Sequence, residues 1–244
     1  ISYQYKQDAL QVVAGRIGNT LLLGGAGFLL TFSLALLLGV LCARFEDRLP
    51  DRILCKLGTF SSCIPEFWLS LVVLLTFAVY LHVLPSSGAY RAGKAGDVGD
   101  RLRHLILPLT VVVLGHLWYY AYMIRNRLLE EARADYVLLA RANGLSRRTV
   151  LFRHCLRNAL PAFLSLAAVS VPHMLGGTYI VETVCSYPGL GTPAYESARY
   201  QDYNLLMLVC MLSGAVVILC SIAAQIVNER IDPRLRDPET EAAA

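Results

Sequence analysis

The sequence predicts an all-α, polytopic membrane protein, and three observations carry that prediction. Hydrophobic residues make up 56% of the 244 positions and charged residues 16%, against about 25% charged in an ordinary soluble domain. Five stretches, residues 17–43, 67–90, 104–124, 158–181 and 203–228, contain no Asp, Glu, Lys or Arg. About 20 apolar residues are enough for a helix to cross a bilayer, so each stretch is long enough to do so. The Lys and Arg residues are also unevenly divided between the two sides that five spans would create, with 15 on one side and 7 on the other.

Transmembrane helices are therefore expected at 17–43, 67–84, 104–124, 158–181 and 203–228, in a single domain over 1–244 with a basic segment at 125–157 between the third and fourth. Buried helices of a large soluble protein fit less well, because they usually carry a polar face along one side. By the positive-inside rule the 15-residue side is cytoplasmic, which puts the 125–157 segment and the C-terminus inside the cell. The loop carrying Arg91, Lys94, Arg101 and Arg103 runs against that rule. Pro65, Pro108, Pro161 and Pro172 fall at or inside helix ends, where they start or kink a span. The seven cysteines form no CxxC pair and there is no His cluster at metal-ligand spacing. Neither a disulfide framework nor a zinc site is indicated.

The segment from Arg125 to Arg157 combines eight arginines with apolar residues at Leu128, Leu129, Ala132, Tyr136, Leu139 and Ala140, a spacing that lines one helix face. Gly144 suits a left-handed helix C-cap, and Ser146 can cap a second short helix through Thr149, Val150 and Leu151. The expected product is a helix-Gly-helix elbow. Ala132, Ala134, Ala140 and Ala142 would let another protein approach closely, with Arg141, Arg147, Arg148 and Arg153 at the rim. Composition alone leaves open a helix lying on anionic lipid.

The run Asp135-Tyr-Val-Leu-Leu-Ala-Arg-Ala-Asn-Gly144-Leu-Ser, with Arg153-His-Cys-Leu-Arg-Asn-Ala-Leu-Pro161 after it, resembles the cytoplasmic signature loop of bacterial ABC importer permeases of the dipeptide, oligopeptide and nickel family. Asp47-Arg-Leu-Pro-Asp51, Ile64-Pro-Glu-Phe-Trp-Leu69, Gly176-Gly-Thr-Tyr-Ile-Val-Glu182, Tyr187-Pro-Gly-Leu-Gly191 and Ile231-Asp-Pro-Arg-Leu-Arg236 are similar to further parts of that family, in the expected order. One departure is Leu138-Leu139-Ala140 where the general signature has Glu-Ala-Ala. Contacts usually assigned to that glutamate therefore do not carry over. The resemblance also implies six helices, the first of them N-terminal to this sequence, whereas five are legible here.

The resemblance implies a binding-protein-dependent permease that moves small peptides or nickel, including chelated nickel, across the cytoplasmic membrane. Residues 47–84 look closer to the nickel branch. It implies coupling to two cytoplasmic ATPase subunits through Asp135, Ala140, Arg141, Ala142, Gly144, Leu145 and Ser146. It also implies a homologous second permease subunit and an extracytoplasmic solute-binding protein. No G-x-x-x-x-G-K-[ST] phosphate loop occurs, so the chain is expected to be no enzyme and to bind no cofactor, with ATP and Mg held by the partner ATPases.

For the translocation path the candidates are His173 and His116, ionisable groups within spans and so functional candidates by default, with Tyr120 close after His116 and Glu66, beside Trp68 at a span's edge, as a gate element or an interfacial anchor. Helix-to-helix hydrogen bonding for the histidines and an interfacial aromatic belt for Tyr119, Tyr120 and Tyr122 are the competing assignments. The loop from Glu182 to Asp202 either faces the solute-binding protein or is merely solvated. A channel or ion-coupled secondary transporter is the rival function. Its acidic ion-binding residues inside spans are missing from the five charge-free stretches. An intramembrane enzyme would need an H-E-x-x-H or G-x-S-x-G motif, and neither is present.

Overall fold

A computed structural model describes residues 1–94 and 96–231. The Asp232–Arg236 portion of the terminal motif therefore lies outside the described residues. The elements are α1 (Ala9–Arg44), α2 (Leu49–Ser61), α3 (Glu66–Leu74) continuing into a π-wound turn (Leu75–Tyr80), α4 (Val98–Ala132), α5 (Asp135–Ala142), α6 (Arg147–Thr149) continuing through a π-wound turn (Val150–Cys155) into α7 (Leu156–Val184), α8 (Gly191–Arg199) and α9 (Tyr203–Ile231). No strand occurs among the described residues.

Among the described residues, four helices are long and apolar enough to cross a membrane, and a bent pair of shorter ones brings the number to five if it counts as one span. The expected 17–43, 104–124, 158–181 and 203–228 fall inside α1, α4, α7 and α9, each of which runs further at one or both ends. The second stretch differs most from expectation. Its helix ends at Tyr80 rather than Leu84, and it is bent by 108° from α2 across the break before Glu66. Pro65, with extended ψ of 137°, ends the incoming geometry and starts α3 afresh. Nine α-helical and six π-wound residues rise about 22 Å at most, short of a hydrocarbon core of roughly 30 Å.

The chain divides into two compact units. The first comprises Ile1–Thr31, Thr59–Leu117 and His173–Val216, and the second Phe32–Gly58, Trp118–Pro172 and the chain from Val217. In the first unit Ala9, Val12 and Val13 pack with Leu190, Leu205 and Val209, so the start of α1 is held against α9 and the turn before α8. In the second, Val137 and Ala140 of α5 pack with Val150, Leu151 and Cys155.

Asp202 sits at the N-terminus of α9, where it caps the backbone N–H of Leu205 at 3.4 Å. Its other oxygen accepts from the Ser2 hydroxyl and from the Gln4 N–H at 3.2 Å. Burial pushes this carboxyl upward, but the hydrogen bonds outweigh it and hold the group below the ordinary aspartate range. A depressed folded-state value stabilises the fold above the unfolded-state value, and the contribution disappears as pH falls through the folded-state value. In detergent, the melting temperature of the wild-type chain is therefore expected to fall below about pH 4 more steeply than that of Asp202→Asn. Parallel curves would contradict this assignment.

Candidate functional site

Three of the four path candidates meet in the first unit. Glu66 opens α3 immediately after Pro65, and its Oε1 lies 3.1 Å from Nε2 of His116 on α4. The other ring nitrogen of His116, Nδ1, lies 3.0 Å from the carbonyl oxygen of Val112. His173, on α7 just after Pro172, sets its ring edge-on to that of His116, with centroids 5.7 Å apart at 80°. His116 is 6% exposed, Glu66 partly exposed and His173 open to the surface. Gly177 completes the wall one turn along α7, since a Cβ there would meet Glu66 Oε2 at 2.5 Å.

The carbonyl of Val112 orients the His116 ring. A carbonyl oxygen only accepts, so Nδ1 of His116 must carry its proton toward Val112. Nε2 faces Oε1 of Glu66, and the two form an ion pair when the ring is doubly protonated.

Tyr120 is the fourth path candidate. It lies one turn further along α4, in the second unit, buried with its ring 4.6 Å from that of Phe32 and edge-on to Tyr119. Its aromatic packing makes it a core residue of that unit.

The elbow in the second unit has the local geometry its sequence predicts. Gly144 has φ +80°, and the N–H groups of Leu145 and Gly144 bond back to the carbonyls of Ala140 and Arg141 at 3.2 and 2.9 Å. That is a Schellman cap on α5, and a left-handed position of this kind favours glycine. Ser146 then accepts the Thr149 N–H at 3.2 Å and starts α6. The faces differ from expectation, because α4 stops at Ala132 and α5 begins only at Asp135. The two intervening residues reset the helical phase. Val137 and Ala140 turn inward, with Ala140 8% exposed, while Leu138 and Leu139 stand outward at 63% and 66%. Ala140 thus supports the elbow from within and is not open to a partner. Asp135, Arg141, Ala142, Gly144, Leu145 and Ser146 remain on the exposed side.

Two arrangements escaped sequence reasoning. Asp51 of α2 and Arg125 of α4 form a two-pronged ion pair, Nε to Oδ1 and Nη2 to Oδ2, each at 2.7 Å. Glu182, expected at the edge of a loop, is 0% exposed inside α7, where it accepts the Gly191 N–H at 2.7 Å. Asp202 is buried as well, so the segment from Glu182 to Asp202 is not merely solvated. With Glu66 opening α3 and Glu182 inside α7, an absence of acids from the helices no longer separates an importer from an ion-coupled carrier. Relatives of the chain do separate them.

Residues 35–237 match the family described as binding-protein-dependent transport system inner membrane component. The oligopeptide transport system permease protein AppB of Bacillus subtilis is 30% identical over 225 residues, covering 92% of this chain and 71% of that protein. The metal-staphylopine import system permease protein CntB of Staphylococcus aureus is 28% identical over 229 residues, covering 92% and 70%. In fold, the chain is similar to a subunit of the inward-facing MetNI methionine ABC transporter, with TM-score 0.72 at 18% identity over 91% of this chain and 97% of that one. The chain belongs to the binding-protein-dependent transport system inner membrane components, as a multi-pass permease subunit of an ATP-driven importer and not an enzyme in its own right.

Proposed function

We propose that this permease carries small peptides or nickel, free or chelated, into the cell, driven by two cytoplasmic ATPase subunits that dock on the α5–α6 elbow. The observation that carries this reading is the elbow itself, a glycine-capped helix pair with an apolar inward face and exposed leucines and arginines on the other. Asp135, Arg141, Ala142, Gly144, Leu145 and Ser146 form the docking side, and Ala140 packs from behind it on the π-wound turn between α6 and α7. ATP and Mg belong to the ATPases, and this chain binds no cofactor. A homologous second permease subunit completes the pore, an extracytoplasmic solute-binding protein delivers the solute, and the C-terminus lies in the cytoplasm. Nucleotide-driven closure of the ATPases moves the elbow, and the bundle passes between inward-open and outward-open packings. Relatives named for oligopeptides and for metal-staphylopine support the substrate classes.

The test is reconstitution of the permease pair in liposomes, with and without the ATPase subunits. ATP-dependent uptake of a peptide or a nickel chelate, delivered by the binding protein and absent without the ATPases, is the expected result. Uptake that needs no ATPase would establish a channel or carrier instead.

Glu66, His116 and His173 form the polar wall of the path in this reading. A hydrogen bond involving a charged group contributes about 1.5–3 kcal/mol, so losing one corresponds to roughly tenfold or more. Glu66→Ala is expected to slow uptake by about tenfold, with ATPase co-purification unchanged. Glu66→Gln, whose amide N–H can donate to Nε2 of His116, is expected to fall less. Wild-type uptake by Glu66→Ala would remove the cluster from the path.

A further inference from the structure

The ion pair between Asp51 and Arg125 has a place in the fold that its energetics alone do not explain. Asp51 is almost fully buried and Arg125 largely so, and the guanidinium meets the carboxylate through both Nε and Nη2 at 2.7 Å. Asp51 Oδ2 also accepts the backbone N–H of Asp47 at 2.9 Å. Asp47 holds a left-handed φ of +63° in the turn between α1 and α2. The same carboxylate thus fixes that turn and grips α4.

A second, exposed ion pair runs in parallel. Arg133, just past the end of α4, reaches Glu46 in the same turn at 3.1 Å. The elbow helix α5 begins two residues later, at Asp135. The segment that carries the elbow is therefore tied to the α1–α2 turn at two points, one of them buried. All of these residues lie in the second unit.

A buried ion pair is weak evidence for stability, because well-packed apolar residues of similar volume usually serve as well or better. What the planar, two-pronged pair supplies is orientation, since it fixes both the rotation and the register of α4 against α2.

We propose that the Asp51–Arg125 pair is a positioning clasp that makes the α1–α2 turn and the elbow end of α4 move as one body. Work applied at the elbow then reaches α1 and α2 instead of being lost in local bending. This inference rests on the ATPase docking proposed above. Asp51 and Arg125 are positioning residues and touch neither solute nor nucleotide.

The test uses the full transporter in proteoliposomes, comparing wild type with the double variant Asp51→Leu/Arg125→Met. ATPase co-purification, ATP hydrolysis and uptake are measured on the same preparation. The clasp predicts that the double variant still assembles with its ATPases. It also predicts continued hydrolysis with at least tenfold more ATP consumed per solute imported. An unchanged ratio of ATP to solute in the assembled complex would overturn the proposal.

Arg125→Lys keeps the charge but loses the two-pronged geometry, and it covers the case in which the double variant does not assemble. It is expected to retain its ATPases and to raise the ratio about threefold. An unchanged ratio, or loss of the ATPases from this variant, would overturn the clasp. A wild-type chain that co-purifies no ATPase would instead refute the docking reading beneath it.

Discussion

Replacing Leu138 and Leu139 together by aspartate is expected to strip the ATPase subunits from the complex and to abolish uptake. Both side chains project outward, and the opposite face of α5 packs through Val137 and Ala140 on Val150, Leu151 and Cys155. The substitution therefore leaves the elbow's own core in place. Burying a leucine side chain contributes about 1.5–3 kcal/mol. Losing two of them from an interface weakens it by roughly a hundredfold or more, before the cost of desolvating two carboxylates is added. Co-purification of the ATPases from solubilised membranes measures the loss directly. Leucines that only rest on lipid would leave co-purification unchanged, and that outcome would remove the elbow from the ATPase interface.

The second large effect is expected at Gly191, where the chain enters α8. A Cβ there would come within 2.7 Å of the Tyr179 Cα, and the carbonyl of the same residue lies nearer still. Backbone atoms cannot swing aside as the end of a flexible side chain does. Gly191 also donates its N–H to buried Glu182, while the neighbouring Leu190 N–H bonds to Thr20 at 2.8 Å. Gly191→Ala must therefore break these bonds or displace α7, at a cost of about 3 kcal/mol. The chain is expected to accumulate poorly in membranes and to melt well below wild type in detergent. Gly176→Ala is the matched control, because a Cβ there meets nothing within 4 Å. Equal melting of Gly191→Ala and wild type would show that α7 and the α8 turn are not packed as described.

The parts legible in sequence are those governed by local rules. Charge-free stretches mark the long helices because a bilayer excludes charge whatever the tertiary arrangement. Gly144 and Ser146 reveal the elbow because a left-handed cap and a hydroxyl N-cap are each one-residue requirements. Which face of α5 turns inward was not legible. It depends on the two-residue break after Ala132, which no proline or glycine announces.

The pairings depend on tertiary approach. Asp51 and Arg125 are 74 residues apart, and neither sits in a motif that points to the other. Glu182 was harder still, because its partner at Gly191 is a backbone N–H that no side-chain pattern encodes. His116 and His173 were singled out as polar groups inside apolar stretches. Glu66 was visible only as an acid at a span's edge, and the fold gives it its place by bringing the start of α3 to α4.

Photocrosslinking from the elbow in intact cells tests the central claim most directly. A photoreactive amino acid at Leu145, which is exposed beside the Gly144 cap, should capture an ATPase subunit, and the same group at exposed Tyr195 of α8 should not. Capture of the extracytoplasmic binding protein from Leu145, or of lipid alone, would contradict the account.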